Sequence, residues 1–316
     1  MINTFGEALV DLIEQQDGRF AAVLGGSVCN FTLAVARQGM AVTYLNPLSA
    51  DSFGQRFADH LGRSGVLLAR SARSAKPTSL AVVTLDASKT PTYAFHRESV
   101  ADRDILPLDA CASLSPALTL FHTGGLALVP ADLEATLQVI KAASKAGAVV
   151  SVDANMRPMV CPDDVPAYAA GVRKALAEAH LVKVSEEDLE SLGFQGLEPE
   201  TAARALFAAP SVQLVALTLG EHGALLLTRE ASVRQLPPAG VHVVDTVGAG
   251  DCFMAGLVVS LSDQGKLSHA ALAQIDTPLL EQALSYAIAT ASINVMREGC
   301  NPPSKAEAEQ FLLSMV

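Results

Sequence analysis

The side chains best placed to do chemistry lie in residues 241–261. A short apolar run, Val241-His-Val-Val, leads into Asp245-Thr246-Val247-Gly248-Ala249-Gly250-Asp251, after which Phe253, Met254, Leu257, Val258 and Leu261 recur at helical spacing. The order is strand, glycine turn, helix. The first N–H groups of a helix have no intrahelical acceptor and sit at the positive end of its dipole, so the amides of Gly248, Ala249, Gly250 and Asp251 form an anion site, with phosphate as its natural guest. Asp251 beside that site is placed either to cap the helix or to take the proton of an attacking hydroxyl. Phosphoryl transfer asks only modest work of such a base, because the transition state is loose and amide donors with Mg²⁺ carry the developing charge. A capped turn without a ligand accounts for the same glycines, so the pattern alone leaves both readings open.

Other phosphate and catalytic motifs fit worse. A dinucleotide fingerprint needs a third glycine where Phe253 stands, and Gly265-Lys266 is followed by Leu267 rather than by the Ser or Thr of a P-loop. His96-Arg97-Glu98 has no glycine loop or D-F-G to make it a protein-kinase catalytic loop. Neither H-E-x-x-H nor G-x-S-x-G occurs, and the seven histidines do not cluster at metal-ligand spacing.

To position the turn, the 316 residues must build a large core, and half of them are apolar with 17% charged, which suits an α/β unit and excludes disorder. Candidate strands at 41–45, 117–121, 148–152, 181–184 and 213–219 alternate with candidate helices at 28–38, 52–63 and 131–146, each with a glycine where a C-cap is expected. Strand and helix in alternation predict a three-layer αβα fold around a mainly parallel central sheet. Residues 8–24 and 78–105 break the rhythm with short alternating runs such as Leu80-Ala81-Val82-Val83 and Thr92-Tyr93-Ala94-Phe95. We read them as insertions forming a small antiparallel β-sheet lid on a single domain, 1–316, with no linker or internal repeat.

The net charge of −11 disfavours nucleic acid and anionic membranes as partners but does not forbid an anionic small molecule in a local positive pocket. Five scattered cysteines without a C-x-x-C pair read as reduced thiols. With Glu7 and Asp11 where a signal peptide carries lysines, and no long apolar run, a cytoplasmic location is expected. An exposed edge of the lid sheet would invite a homodimer.

With the glycine turn in view, the chain resembles the ribokinase-like (PfkB) carbohydrate kinases. The motif 245–251 matches that family's C-terminal signature, and the order of the rest agrees along nearly the whole length: Phe5-Gly6-Glu7-Ala8-Leu9-Val10-Asp11, Gly25-Gly26 with Asn30, Asp51-Ser-Phe-Gly54, Asp153-Ala-Asn155-Met-Arg157, Thr218-Leu-Gly220-Glu-His-Gly223, and Arg297-Glu-Gly299-Cys300 with Pro302. The resemblance implies a ribokinase-like fold and transfer of the γ-phosphoryl group of ATP to a sugar hydroxyl. It makes Asp251 the general base and Gly248, Ala249 and Gly250 the anion hole. Asp11, Gly25, Gly26 and Asn30 fall where the family binds its sugar, with Arg97 and Arg157 as further substrate contacts. Ser185, Thr218, Gly220, Gly223 and Thr246 fall along the nucleotide, and Asp188 and Asp245 are the implied residues for Mg²⁺ and for a K⁺ loop. Where many relatives carry Asn-x-x-Glu to organise the metal, this chain has Ser185-Glu186-Glu187-Asp188, and Cys300 stands where a small alanine is common.

Residues 95–103, Phe-His-Arg-Glu-Ser-Val-Ala-Asp-Arg, resemble the lid segment of the fructokinase branch, as does Lys183-Val-Ser-Glu-Glu-Asp-Leu189, so D-fructose is the expected acceptor. A keto acid such as 2-keto-3-deoxygluconate is the runner-up, because Arg97, Arg103 and Arg157 could pair with its carboxylate. Ribose ranks lower, as do nucleosides, which would call for aromatic stacking from a chain with no Trp and 15 aromatics. A binding protein without activity, a third reading, would more naturally carry Asn in place of Asp251.

Overall fold

The computed structural model describes residues 1–15, 17–85 and 91–314. Its thirteen strands are β1 (Ile2–Phe5), β2 (Leu9–Glu14), β3 (Phe20–Gly25), β4 (Val42–Tyr44), β5 (Leu67–Leu68), β6 (Ser79–Leu85), β7 (Pro91–His96), β8 (Leu120–Gly124), β9 (Val149–Asp153), β10 (Leu181–Ser185), β11 (Leu214–Thr218), β12 (Ala224–Leu227) and β13 (Ser232–Gln235). Nine of them form one sheet in the order β13-β12-β11-β10-β9-β8-β1-β4-β5, parallel from β11 to β5 with β12 and β13 added antiparallel.

The apolar runs become central strands because both of their faces are covered. Leu181, Val149 and Leu214 point to a layer that includes helices Ser27–Arg37, Ala249–Asp263 and Thr277–Val295, whereas Val182, Val150 and Val215 point to the opposite layer with Pro130–Lys145 and Val165–Ala177. This is the expected three-layer αβα arrangement. Helix Ser52–Arg63 has the predicted limits, with Asp51 capping it by accepting from the Gly54 N–H at 2.7 Å. The predicted strand 117–121 begins later, at Leu120, because the preceding residues close a turn in which the Leu118 N–H donates to the Ser115 carbonyl at 3.1 Å.

The run 241–244 is not a strand. The Val244 N–H donates to the Val295 carbonyl at 2.7 Å, so this segment is tied to the end of the Thr277–Val295 helix rather than to a sheet edge, leaving Val243 and Val244 exposed.

A second sheet of four strands has the order β3-β2-β6-β7 and occupies the two stretches predicted to break the α/β rhythm, of which residues 16 and 86–90 lie outside the described residues. Its pairs are antiparallel as expected except the central one: β2 and β6 run parallel. The chain leaves β3 directly into the Ser27–Arg37 helix and returns to this sheet only at β6, and so long a crossover permits a parallel pair where a hairpin would not. Among the described residues no helix is long and apolar enough to cross a membrane.

Two histidines are built into the core uncharged. His122 stacks on Phe31 with ring centroids 3.7 Å apart, and burial lowers its pKa to about 3; His180 accepts from the Val150 N–H at 2.9 Å and stacks on His269, and burial lowers its pKa to about 4. Both groups bind a proton more readily unfolded, near 6.5, than folded. Their contribution to stability is therefore complete above pH 6.5 and lost as the pH falls from there toward 3–4. Urea midpoints measured from pH 7 to pH 4.5 should fall with acidification, and His180→Gln should flatten that slope. An equal slope in the variant would remove His180 from this role.

Candidate active site

In the sheet order, β1 is followed in the chain on one side by β4 and on the other by β8, so the winding reverses between β1 and β8, where α/β folds leave a crevice at the carboxyl ends of the strands. A cleft of 760 Å³ opens there. Its lining includes Asp11, Gly26, Ser27, Asn30, Arg157 and Lys183, together with every residue from Asp245 to Asp251.

Two helix N-termini meet in this cleft. Helix Ala249–Asp263 starts from Gly248, whose left-handed backbone (φ 74°) turns the chain into the helix; a Cβ there would lie 2.6 Å from Cys300 Sγ. Asp251, in the first turn, does not cap its own helix. Its carboxylate accepts from Ser27 Oγ at 2.8 Å and from Asn30 Nδ2 at 2.9 Å, both on the helix Ser27–Arg37 that enters from the other side. The side chain is buried, and burial raises its pKa, with Asn30, Lys183, Ser27 and Arg157 pulling the other way.

The expected anion hole needs one correction. The Ala249 N–H donates to the Thr246 carbonyl at 3.2 Å, whereas those of Gly248, Gly250 and Asp251 have no acceptor among the described residues. Of the four amides expected at this turn, three are unpaired among the described residues.

Gly26 seats the second helix. Its φ is 99°, and a Cβ on it would come within 2.6 Å of the Glu7 carbonyl oxygen. Glu7 is buried beneath this junction, where its Oε1 accepts from the Ser27 N–H at 3.0 Å; burial raises its pKa to about 7 against the pull of Arg97. On β2, Asp11 faces the cleft, and burial raises it to about 6 with Arg157 opposing. Asn155, also on the cleft wall, holds a left-handed backbone (φ 36°) unusual for a non-glycine residue.

Comparison with known proteins decides the class. Residues 1–307 match the pfkB family of carbohydrate kinases. This chain belongs to that family. A fructokinase of Rhizobium leguminosarum bv. trifolii is 33% identical to it over 288 residues, covering 90% of this chain and 85% of the relative. The crystal structure of a fructokinase with bound ATP from Xylella fastidiosa has a TM-score of 0.87 at 28% identity, covering 99% of this chain and 98% of that one. A fructokinase structure from Vibrio cholerae O395 in a fructose, ADP and calcium ion bound form has a TM-score of 0.79 at 25% identity, covering 98% of both chains. The ribokinase-like fold expected from the sequence is the fold observed.

Within this pfkB-family chain several expected site residues have other duties. Arg97 does not line the cleft. It is buried beside a second cavity, and its guanidinium donates to Asp102 Oδ2 at 3.1 Å, the Leu126 carbonyl at 3.1 Å and Asp132 Oδ2 at 3.4 Å, while Arg103 pairs with Asp132 at 2.7 Å. Of the three arginines proposed to meet a substrate carboxylate, only Arg157 reaches the cleft. Gly25 lines no part of it either; a side chain there would overlap the Asp11 carboxylate, so this glycine makes room for Asp11.

The two residues expected at the metal are also engaged. Asp188 is buried, and its carboxylate accepts from the Ser185 N–H at 2.8 Å and the Met156 N–H at 2.7 Å, while Ser185 Oγ completes a capping box by accepting from the Asp188 N–H. The shorter side chain has become a helix cap. Asp245 accepts from the N–H groups of Val247 at 3.0 Å and Gly299 at 2.8 Å, tying the two loops together. Among the described residues no group of three or more His, Cys, Asp or Glu side chains is placed to hold a metal ion. A divalent ion gripped by the protein alone does not fit this donor set.

Ser185 and Thr218 are register neighbours at the carboxyl ends of β10 and β11, on the same sheet edge, and Thr246 lies on the cleft wall. Gly220 and Gly223 form the turn after β11, where a side chain on Gly223 would overlap the Gln235 carbonyl. Sequence reasoning assigned no role to Ser27, Glu7 or Lys183. Two left a signal: Glu7 as a charged residue in the motif 5–11, and Lys183 as a charged residue inside the apolar run 181–184 that predicts a buried strand.

Proposed function

We propose that this chain transfers the γ-phosphoryl group of ATP to a hydroxyl of D-fructose. One observation carries the reaction: a buried carboxylate, Asp251, oriented by Ser27 and Asn30, shares its helix turn with three amides that are unpaired among the described residues, in a 760 Å³ cleft. The sugar hydroxyl oxygen attacks the γ-phosphorus while the bond to the β–γ bridging oxygen breaks and ADP leaves with that electron pair. Asp251 takes the hydroxyl proton, and burial, by raising its pKa, makes it a better base than an exposed aspartate. The amides of Gly248, Gly250 and Asp251 receive the charge on the transferred group.

Asp11, Gly26, Asn30 and Arg157 form the sugar side of the cleft, and Thr246, Ser185, Thr218, Gly220 and Gly223 mark the nucleotide side. A magnesium ion carried on the nucleotide phosphates, which typically keeps most of its own waters, would neutralise phosphate charge without a protein cage. A monovalent cation is assigned to the loop pair joined by Asp245, residues 245–247 and 299–301. The four-stranded sheet, inserted at about 8–24 and 78–105 into a single kinase domain, is the lid, and its closure excludes water from the transfer. β3 and β7 are its open edges, with Phe20 and Tyr93 exposed on them, which supports a homodimer through the lid. A monomer in sedimentation at micromolar concentration would overturn that assembly.

Fructose is favoured by the relatives and by the loss of Arg97 and Arg103 as cations for a keto acid. The structure also favours a second reading. Tyr93 and Phe95 stack on the cleft wall with ring centroids 6.0 Å apart, an aromatic surface that suits a nucleoside base as well as a sugar face. The deciding experiment is coupled ADP release with Mg-ATP against D-fructose, 2-keto-3-deoxygluconate, D-ribose and adenosine, in K⁺ and in choline. Preferred turnover of fructose is expected; preference for adenosine or the keto acid would replace the substrate, and an equal rate in choline would remove the monovalent cation.

A further inference from the structure

Lys183 sits on β10, in the middle of the central sheet, where the neighbouring Val182 and Val184 are buried apolar residues. Its Nζ lies 3.1 Å from Asp153 Oδ2 on the adjacent strand, and it has no other hydrogen-bond partner among the described residues. An ammonium carries three donors, so two remain, and Lys183 is part of the cleft wall. On that wall its Nζ presses against Gly250: a Cβ on this glycine would stand 3.0 Å from the nitrogen. Gly250 is one of the residues whose N–H is unpaired at the anion turn.

The ion pair is not explained as a stabilising device. Burying a lysine and an aspartate costs desolvation that their attraction roughly repays, so replacing such a pair by apolar residues is often neutral. What the cleft does need is positive charge. Asp11 and Asp251 line it, and a polyphosphate tail must approach Asp251 in a chain of net charge −11. Among the described residues three Lys or Arg side chains line the cleft, Arg56, Arg157 and Lys183; Arg56 is exposed and donates to the Ala22 carbonyl, and of these three Lys183 is the one that is both buried and against the anion turn.

We propose that Lys183 is a catalytic residue of the transfer, its ammonium contacting the γ-phosphoryl oxygens over the 248–251 turn while Asp153 holds it in place. The assignment rests on the kinase reading above. The ammonium is kept charged because Asp153, Asp188 and Asp251 together outweigh the burial that alone would discharge it. Gly250 then serves in two ways, by its amide and by leaving the ammonium room against the turn, where a Cβ would make it give by a few tenths of an ångström.

The single change Lys183→Met leaves Asp153 buried without its partner, so the test uses Asp153→Asn/Lys183→Met, which removes both charges together, beside Asp153→Asn alone. The double variant should unfold cooperatively near the wild-type midpoint, keep the sugar KM within about threefold, and lose ~10²–10³-fold in kcat, the scale of removing one preorganised donor from a developing anion. Asp153→Asn, which keeps the ammonium, should lose far less. A folded double variant that turns over at a tenth of the wild-type rate or faster would overturn the assignment and leave the pair a structural one. Titration with the non-hydrolysable imido analogue of ATP separates this from failure of the kinase reading: should the wild type phosphorylate no acceptor, that reading falls, while binding weakened tenfold or more in the double variant still supports Lys183 and unchanged binding refutes it.

Discussion

Asp251→Asn is expected to lower kcat by ~10²–10⁴-fold while leaving the fold and sugar binding intact, the usual scale for losing a positioned general base. The variant is close to isosteric, and its hydrogen bonds can be remade. Its carbonyl oxygen still accepts from Ser27 Oγ, and the Asn30 amide can turn to present its oxygen to the new NH₂. What is lost is a group able to take the hydroxyl proton. Pre-steady-state binding of fructose, unfolding midpoints and turnover of both proteins would test this together. Retention of more than a tenth of the wild-type kcat would transfer the proton to another acceptor and leave Asp251 as a binding residue.

Gly26→Ala is the second large effect, and it operates through backbone rather than chemistry. The alanine Cβ would meet the Glu7 carbonyl oxygen at 2.6 Å, its carbonyl carbon at 3.1 Å and Ala8 Cα at 3.2 Å, and no side-chain rotation relieves backbone atoms. With φ at 99° the residue is strained as well. The start of the Ser27–Arg37 helix must shift, carrying Ser27 and Asn30 away from Asp251. A misplacement of about 1 Å can cost ~10² in rate, and we expect that loss in kcat together with about 1–3 kcal/mol of stability. Gly39→Ala is the control: Gly39 also has a positive φ, but a Cβ there meets nothing within 4 Å, so its cost should be about 1 kcal/mol with unchanged kinetics. Equal kinetic losses in both variants would show that strain, not the seating of the helix, is responsible.

These two residues also separate what the local sequence carries from what folding supplies. Asp251 and its glycines were legible because one contiguous segment contains the chemistry, and local physics, unpaired amides at a helix start, gives that segment its meaning. The parallel sheet was legible too, since strands buried on both faces must be continuous apolar runs. Gly26 was legible as a glycine of the site but not for its reason, which is the carbonyl of Glu7 packed against it.

What the tertiary structure alone decided are pairings across long separations. Ser27 and Asp251, 224 positions apart in the chain, are joined by a 2.8 Å hydrogen bond, and nothing in either local segment specifies it. Arg97 reads from sequence as a substrate contact, but in the fold Asp102 and Asp132 surround it; Asp188 reads as a metal residue, but the amides of Ser185 and Met156 occupy its carboxylate. Composition and spacing report which groups a chain carries. Whether a charged group is available to a substrate depends on which partners folding has already supplied, and in a buried site those partners come from other strands and helices, because an unpaired charge there is too costly to keep.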